Sequence, residues 1–443
     1  MRIWGNHRIT TFQIIALGFL LMILVGTLLL MLPVSGRDGT ATGLPDCLFT
    51  ATSAVCVTGL VVLDTSAHWS PFGQAVILFL IQIGGMGVVT AALSLSFLSG
   101  RRIGFMQRSV MQEAISAPQV GGIVRLTRFI ILTTLGIELA GALVLMAAFV
   151  PEFGWARGTW YAVFHSVSAF CNAGFDLMGV HGAFSSMTAY AQNALVNIVL
   201  VLLITIGGIG FLVWNDVKEH RFRLKQYRLQ SKIALDASGI MILVPFLWFL
   251  FSEMDGTPLG ERVLPSLFQS VTLRTAGFNT MDLNSVSGGG QALMILCMLI
   301  GGSPGSTAGG MKTTTGAILL LTALAIFRRK EHVTCFGRRI GEDAVRSAVA
   351  VLFMYFSLFF VGGLVISRIE GLPLISCLFE TASALGTVGL SLGITTRIGG
   401  VSRLILIGLM FLGRVGGLTL IYAAQTVRRT SCSTLPLEKV TVG

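Results

Sequence analysis

FETASALGTVGLSLG, from Phe379 to Gly393, decides how the chain is read. It is too short and too polar to cross a membrane, yet apolar runs at 347–366 and 402–424 lie on either side of it. The same arrangement occurs three times earlier, as FTATSAVCVTGLVVLD from Phe49, FHSVSAFCNAGFDLM from Phe164 and FQSVTLRTAGFNTMD from Phe268. Each copy starts with Phe, places Ser53, Ser168, Thr272 or Ser383 four residues on, and reaches a glycine followed by Leu or Phe. Those glycines are Gly59, Gly174, Gly277 and Gly389, and the third copy is one residue shorter.

The setting of these segments follows from composition. Of 443 residues, 53% are hydrophobic and 12% charged, against a charged fraction of about 25% in soluble domains. Such a chain is an integral membrane protein, and spans are the unit to count. Apolar runs lie at 11–32, 74–98, 129–150, 190–214, 233–251, 291–326, 347–366 and 402–424. Each is long enough to cross, at about 20 residues per crossing, and the sixth is too long for a single crossing. The first is not followed by a small-residue cleavage site and reads as a retained helix. Cys47, Cys56, Cys171, Cys297, Cys335, Cys377 and Cys432 form no CxxC pair, so neither a zinc site nor a disulfide framework is expected.

Span, half-length segment, glycine turn and span therefore occur four times, an internal repeat covering nearly the whole chain. Repeat 1 occupies 11–98, repeat 2 127–214, repeat 3 233–326 with a broken second helix, and repeat 4 346–424; 425–443 is a C-terminal tail. The expected fold is all-α, eight transmembrane helices with four re-entrant loops around one pseudo-fourfold axis.

The net charge of +11 does not point to nucleic acid, because membrane proteins collect basic residues in cytoplasmic loops. Most lysines and arginines fall in the termini and at 101–128, 218–232 and 328–346, while the other side holds Arg37, Arg157, Arg262, Arg274, Arg368, Arg397 and Arg403. Both termini are expected in the cytoplasm, with the glycine turns opening outward. The basic loops serve equally as docking surfaces for a partner or as ordinary inside loops.

Non-helical backbone at membrane depth is tolerated only where protein buries it or water bathes it. Four such turns can surround one axis and replace an ion's hydration shell with carbonyls. The backbone positions expected to line it are Val57, Thr58 and Gly59; Asn172, Ala173 and Gly174; Thr275, Ala276 and Gly277; and Thr387, Val388 and Gly389. None of these side chains is charged.

On these residues the chain resembles the Trk/Ktr/HKT superfamily of potassium transporters, and TVGL at Thr387–Leu390 resembles a potassium-channel pore loop. The resemblance is nearest to Ktr-type membrane subunits. It implies four M1–P–M2 units, the four glycines in a selectivity filter, a homodimer, and a cytosolic nucleotide-binding regulatory ring of the KtrA kind. K+ is then the substrate, with Na+ as an activating or coupled ion, no other cofactor, and the bacterial plasma membrane as location. Each turn has a single glycine, and Leu60, Phe175, Phe278 and Leu390 stand where a channel has Tyr, which implies looser discrimination of K+ from Na+. Gly59 favours potassium, since sodium-preferring relatives carry serine there. A sodium-permeable HKT-type channel stays as the alternative.

One further stretch, LIGGSPGSTAGGMKTTT (Leu299–Thr315), sits inside the sixth span. Gly305 and Gly310 are spaced as in a Walker A loop, but Met311 precedes Lys312 and the match fails. Gly301-Gly302-Ser303-Pro304-Gly305 fits G-x-S-x-G, the pattern of a serine hydrolase. That chemistry needs the N–H of the residue after the serine, which Pro304 lacks. The third reading is a broken helix across the conduction path: a gate made of Gly301, Gly302, Ser303, Pro304, Gly305, Ser306, Thr307, Ala308, Gly309 and Gly310. Arg414 is level with it and is expected to set a positive barrier, the other reading being an ion pair with Glu138, Asp236 or Glu380. Lys312 either joins the gate or snorkels to the surface. Arg274 is expected to face away from the axis and pair with a carboxylate such as Glu380, while His165 and Glu380 anchor the half-length helices.

Overall fold

The computed structural model describes residues 10–88, 104–115, 121–221, 223–254 and 256–417, with isolated positions beyond them. Most of 89–98 and 418–424, the tail at 425–443 and both termini, on which the expected orientation bears, lie outside the described residues.

The protein is helical, with a small hairpin pairing Thr334–Cys335 with Arg338–Arg339. The first helix, Thr11–Leu30, begins at a capping box in which the Thr10 hydroxyl accepts the Gln13 N–H and Gln13 reaches back to the Thr10 N–H. Ile15, Phe19, Ile23, Gly26 and Leu30 form its buried stripe, while Leu17, Leu21, Leu24 and Leu28 stay exposed. An apolar outer face that no protein covers suits lipid. A methyl group on Gly26 would stand 2.6 Å from Leu80, so glycine lets the next long helix, Pro71–Met86, pack closely.

Between these two lies Leu44–Val55, with Pro45 in its first turn, where its missing N–H is harmless. Its 12 residues reach about 18 Å, short of a bilayer core of about 30 Å. Every residue from Phe49 to Val55 is buried, the condition under which a half-length helix survives at membrane depth. Leu259–Thr272 and Leu374–Gly386 repeat this element. The second copy is continuous with the span before it: Ile123–Phe170 runs for 48 residues, broken near Pro151 by Gly154 at φ 79°, ψ 170°.

By length and composition, four helices among the described residues can cross a membrane: Thr11–Leu30, Ile123–Phe170, Leu229–Glu253 and Glu342–Glu370. Ala194–Gly208 and Phe211–His220 make a fifth if taken as one span bent by 93°. The apolar runs of the sequence do not all return as long helices, because the second helix of each repeat stops at or beside glycine. Pro71–Met86 ends at Gly87 (φ 85°), the 194–208 helix turns at Gly210 (φ 102°), and Gly400–Val415 ends at Gly416 (φ 90°). In repeat 3, Gly288–Leu299 gives way to a non-helical loop and the helix resumes at Thr313–Phe327. The expected break in the sixth run is present, and the other three second helices also end or turn at a glycine.

Candidate functional site

The four glycine loops share one backbone device. The residue two before each glycine is left-handed: Val57 (φ 56°), Asn172 (φ 58°), Thr275 (φ 67°) and Thr387 (φ 52°). Gly59, Gly174, Gly277 and Gly389 are also positive, at φ 69–94°. Branched Val57, Thr275 and Thr387 disfavour that region, so their surroundings must impose it.

The Ser or Thr of each copy supplies the constraint. The N–H groups of Thr58, Ala173 and Val388 donate to the carbonyls of Ser53, Ser168 and Ser383 at 2.8 Å. In the shorter third copy Ala276 donates to the Thr272 carbonyl at 2.9 Å. The side chains then hold the glycine step in two ways. Ser53 and Ser383 accept the N–H of Gly59 and Gly389, while Ser168 and Thr272 donate to the carbonyls of Phe175 and Phe278.

The loops close on one another in cyclic order. A methyl group on Gly59 would meet the carbonyl oxygen of Ala173 at 2.5 Å, one on Gly174 that of Ala276 at 2.8 Å, and one on Gly277 that of Val388 at 2.5 Å. A methyl group on Gly389 would meet the carbonyl of Thr58, which returns to the first loop. The side chains of Val57, Thr58, Asn172, Ala173, Thr275, Ala276, Thr387 and Val388 are all buried. The four glycines line one cavity of about 490 Å³, which Asp64, Asp176 and Asp282 also line. These three acids follow the glycine by a few residues in three copies, a signal the sequence carried and the reading above passed over. Asp64 and Asp282 cap short helices. Asp176 lies in the loop outside the spans, where burial pushes its carboxyl up to about 7 against the Met178 N–H, with Asp64 adding to the rise.

Beneath this ring lies the 300–312 loop. A methyl group on Gly301 would touch Thr275 at 3.1 Å, and Gly309 packs directly on the Thr387 side chain. The Thr307 hydroxyl donates to the Phe170 carbonyl at 3.1 Å. The N–H groups of Ser303 and Thr307 donate to Gly208 and Gly207, and Phe211 donates to the Gly305 carbonyl. The loop's freed backbone is thus met largely by carbonyls and N–H groups that the glycine breaks of repeat 2 expose. Ile300 and Met311 form an isolated parallel bridge that closes the loop at its base. The Ser303 hydroxyl pairs with Thr313 at 3.1 Å.

Arg414 spans the site. Its guanidinium donates to the carbonyls of Thr307, Gly84 and Gly85, joining the loop to the second helix of repeat 1. Its partners are backbone carbonyls and not Glu138, Asp236 or Glu380. Lys312 does not snorkel: its ammonium turns back to the Ala308 carbonyl at 2.8 Å, within the loop. Arg274 is buried, and its partner is the Ser238 hydroxyl at 2.8 Å, not Glu380. Glu380 accepts hydrogen bonds from Ser391 and Thr395, and His165 bridges the Tyr161 carbonyl and the Leu177 N–H. Each therefore ties a half-length helix to the chain that leaves its glycine loop.

The glycine clusters also serve packing. A methyl group on Gly84, Gly207 or Gly413 would collide with the carbonyl of Val55, Phe170 or Leu385, at the end of a half-length helix. Close approach and helix breaking are properties of adjacent residues in the same cluster.

A family of cation transport proteins, TrkH, matches residues 7–430. The potassium/sodium uptake protein NtpJ of Enterococcus hirae is 41% identical over 427 residues, covering 94% of this chain and 93% of that protein. The Ktr system potassium uptake protein B of Bacillus subtilis is 38% identical, over 94% of this chain and 93% of that protein. Among solved structures, the potassium transporter TrkH from Vibrio parahaemolyticus aligns with a TM-score of 0.75 at 21% identity, covering 95% of this chain and 85% of that one. The chain is a multi-pass helical membrane protein of the TrkH cation transport family, within the Trk/Ktr group of potassium transporters.

Proposed function

We propose that the protein takes up potassium through a filter of backbone carbonyls formed by the four glycine loops, gated by residues 301–310. The observation that carries this reading is the cyclic contact of each glycine with the carbonyl before the next glycine. Left-handed residues alternating with others let successive carbonyls face one side, where an extended strand would alternate them. Such carbonyls can take the place of an ion's water. Val57, Thr58, Asn172, Ala173, Thr275, Ala276, Thr387 and Val388 contribute through their backbones, with the four glycines. On this reading the chain has eight spans in four M1–P–M2 units around one axis, with both termini cytoplasmic.

The 300–312 loop lies under the ring, contacts groups of repeats 2, 3 and 4 and is joined to repeat 1 through Arg414, which supports its role as the gate. Arg414 is the latch and the positive barrier of that gate, and Lys312 stiffens the loop from within. The name of the Bacillus subtilis relative, a Ktr system protein, supports work in a complex with further components, for which the resemblance implies a homodimer on a cytosolic nucleotide-binding ring. A second reading, potassium and sodium together, is favoured by the name of the Enterococcus hirae relative and by the single glycine in each turn.

Rubidium uptake into liposomes holding the full chain, with potassium, sodium and lithium as competitors, separates the two. Competition by potassium alone supports the filter reading, and equal competition by sodium moves the assignment to the mixed one. No rubidium uptake, with or without the ring, would sink both.

A further inference from the structure

The ring of loops is not chemically even. Behind the second loop, at membrane depth, sits a cluster of three polar side chains from two repeats. Glu138, in the long Ile123–Phe170 helix, is 5% exposed. Gln82, from the Pro71–Met86 helix, donates its amide to one Glu138 oxygen at 3.1 Å. The Cys171 thiol stands 3.7 Å from the other Glu138 oxygen and 3.7 Å from the Gln82 carbonyl oxygen. Glu138 has no Lys, Arg or His partner among the described residues. An ionisable group held in a membrane without a counter-charge is costly and is retained for a function.

The cluster reaches the ion path through Cys171. That residue ends the helix and immediately precedes Asn172, whose left-handed turn opens the second glycine loop. Asn172 in turn donates to the Arg274 carbonyl at 3.2 Å and to the Thr275 hydroxyl at 3.5 Å, in the third loop. Gly85 makes room for the thiol, since a methyl group there would stand 2.5 Å from its sulfur. In the other repeats the residues matching Gln82 are Thr205, Leu299 and Phe411, and those matching Cys171 are Cys56, Arg274 and Gly386. No other pair offers an amide and a thiol. A line of contacts thus runs from repeat 1 through Glu138 to the turns of the second and third loops.

We propose that Glu138 is a positioning residue for ion selection: with Gln82 it fixes the Cys171 side chain, and so the carbonyl spacing of the second loop. The inference rests on the reading of the loops as a filter. It assigns the preference for potassium over sodium partly to a group that no ion touches.

The test is the ratio of sodium to potassium needed to halve rubidium uptake by the full chain in liposomes. Glu138→Gln keeps an acceptor for the Gln82 amide and turns an amide N–H toward the Cys171 sulfur, a weak acceptor, so the three side chains stay linked and the ratio is expected to be preserved. Glu138→Leu is expected to lower it roughly three- to tenfold, the scale of losing interhelical hydrogen bonds. Gln82→Leu/Glu138→Leu removes both polar partners together and so leaves no orphaned group to oppose insertion. It should show the same loss, as should the smaller change Cys171→Ala. An unchanged ratio in the inserted variants overturns the proposal. A wild-type chain that does not distinguish the two ions overturns the filter reading itself, a separate failure.

Discussion

The glycine ring and the 300–312 loop are both non-helical, glycine-rich and buried, and they are built in opposite ways. In the ring each loop is held by its own half-length helix: Ser53, Ser168, Thr272 and Ser383 bond within their own copy. The glycines there have no free space, since each abuts a neighbouring carbonyl. The 300–312 loop is closed at its base by its own Ile300–Met311 bridge and Ser303–Thr313 pair, but across its span it leans on other elements, through Gly207, Gly208, Phe170 and the Arg414 guanidinium. Bonds within one element persist when neighbours shift, whereas bonds between elements break when those elements part. The same residue type thus gives a ring held by local contacts and a loop held largely by borrowed ones, the difference that the proposed filter and gate require.

The strongest way to break this comparison is to fill the ring. Gly389→Ala must enter a left-handed turn against the Thr58 carbonyl, which costs about 3 kcal/mol. Potassium-selective uptake is expected to fall about a hundredfold, measured as rubidium flux at matched protein in the membrane.

Loosening the plug should act in the opposite direction. Arg414→Gln removes charged hydrogen bonds worth about 2 kcal/mol each, and rubidium leak through the chain alone in liposomes is expected to rise roughly tenfold. Deleting 303–310 should raise it at least as much. Unchanged leak in both would remove the gate from the account.

A smaller effect is expected from a single clamp of the ring. Thr272→Val keeps the shape and loses the bond to the Phe278 carbonyl, at about 1 kcal/mol. Sodium should then compete a few times better, with little change in leak.

The mouth should respond to pH. Asp176 ionises near pH 7, so acidification below that value removes a negative charge from the cavity above the ring. Uptake at low potassium should fall by about twofold as external pH drops from 8 to 6, the expected scale for one partly screened charge. Asp176→Asn should be flat across that range and resemble the acid limit of the wild type.

The smallest change concerns the join between the first and last repeats. Arg403 and Asp46 form an ion pair at 2.6 Å, partly open to solvent. Arg403→Gln should cost at most about 1 kcal/mol in thermal stability, without altering selectivity.

What could be read from the sequence was local. The Phe and the Ser or Thr of each copy stand at fixed spacing, and the Gly follows at a spacing that is one residue shorter only in the third copy, because one hydroxyl must reach one peptide of the same loop. The glycine clusters were visible too, but a glycine that admits a carbonyl, such as Gly84, and one that ends a helix, such as Gly87, look alike in one letter. Partners across the fold were not legible. Ser238 lies in the Leu229–Trp248 helix and Arg274 in the turn after Leu259–Thr272, and nothing in sequence announces that a hydroxyl will stand where a carboxylate was expected. Among the described residues Arg414 has only carbonyl partners, and backbone groups leave no mark in side-chain identity. Lys312 turns inward because its own loop offers the Ala308 carbonyl within reach of its stem.

The most direct test of the central claim is rubidium uptake by Gly277→Asp beside the wild-type chain in the same liposomes. The account expects potassium-competed uptake in the wild type and none in the variant, with both proteins inserted equally. Uptake that survives Gly277→Asp with its potassium preference intact would place the ion path outside the glycine ring and contradict the account.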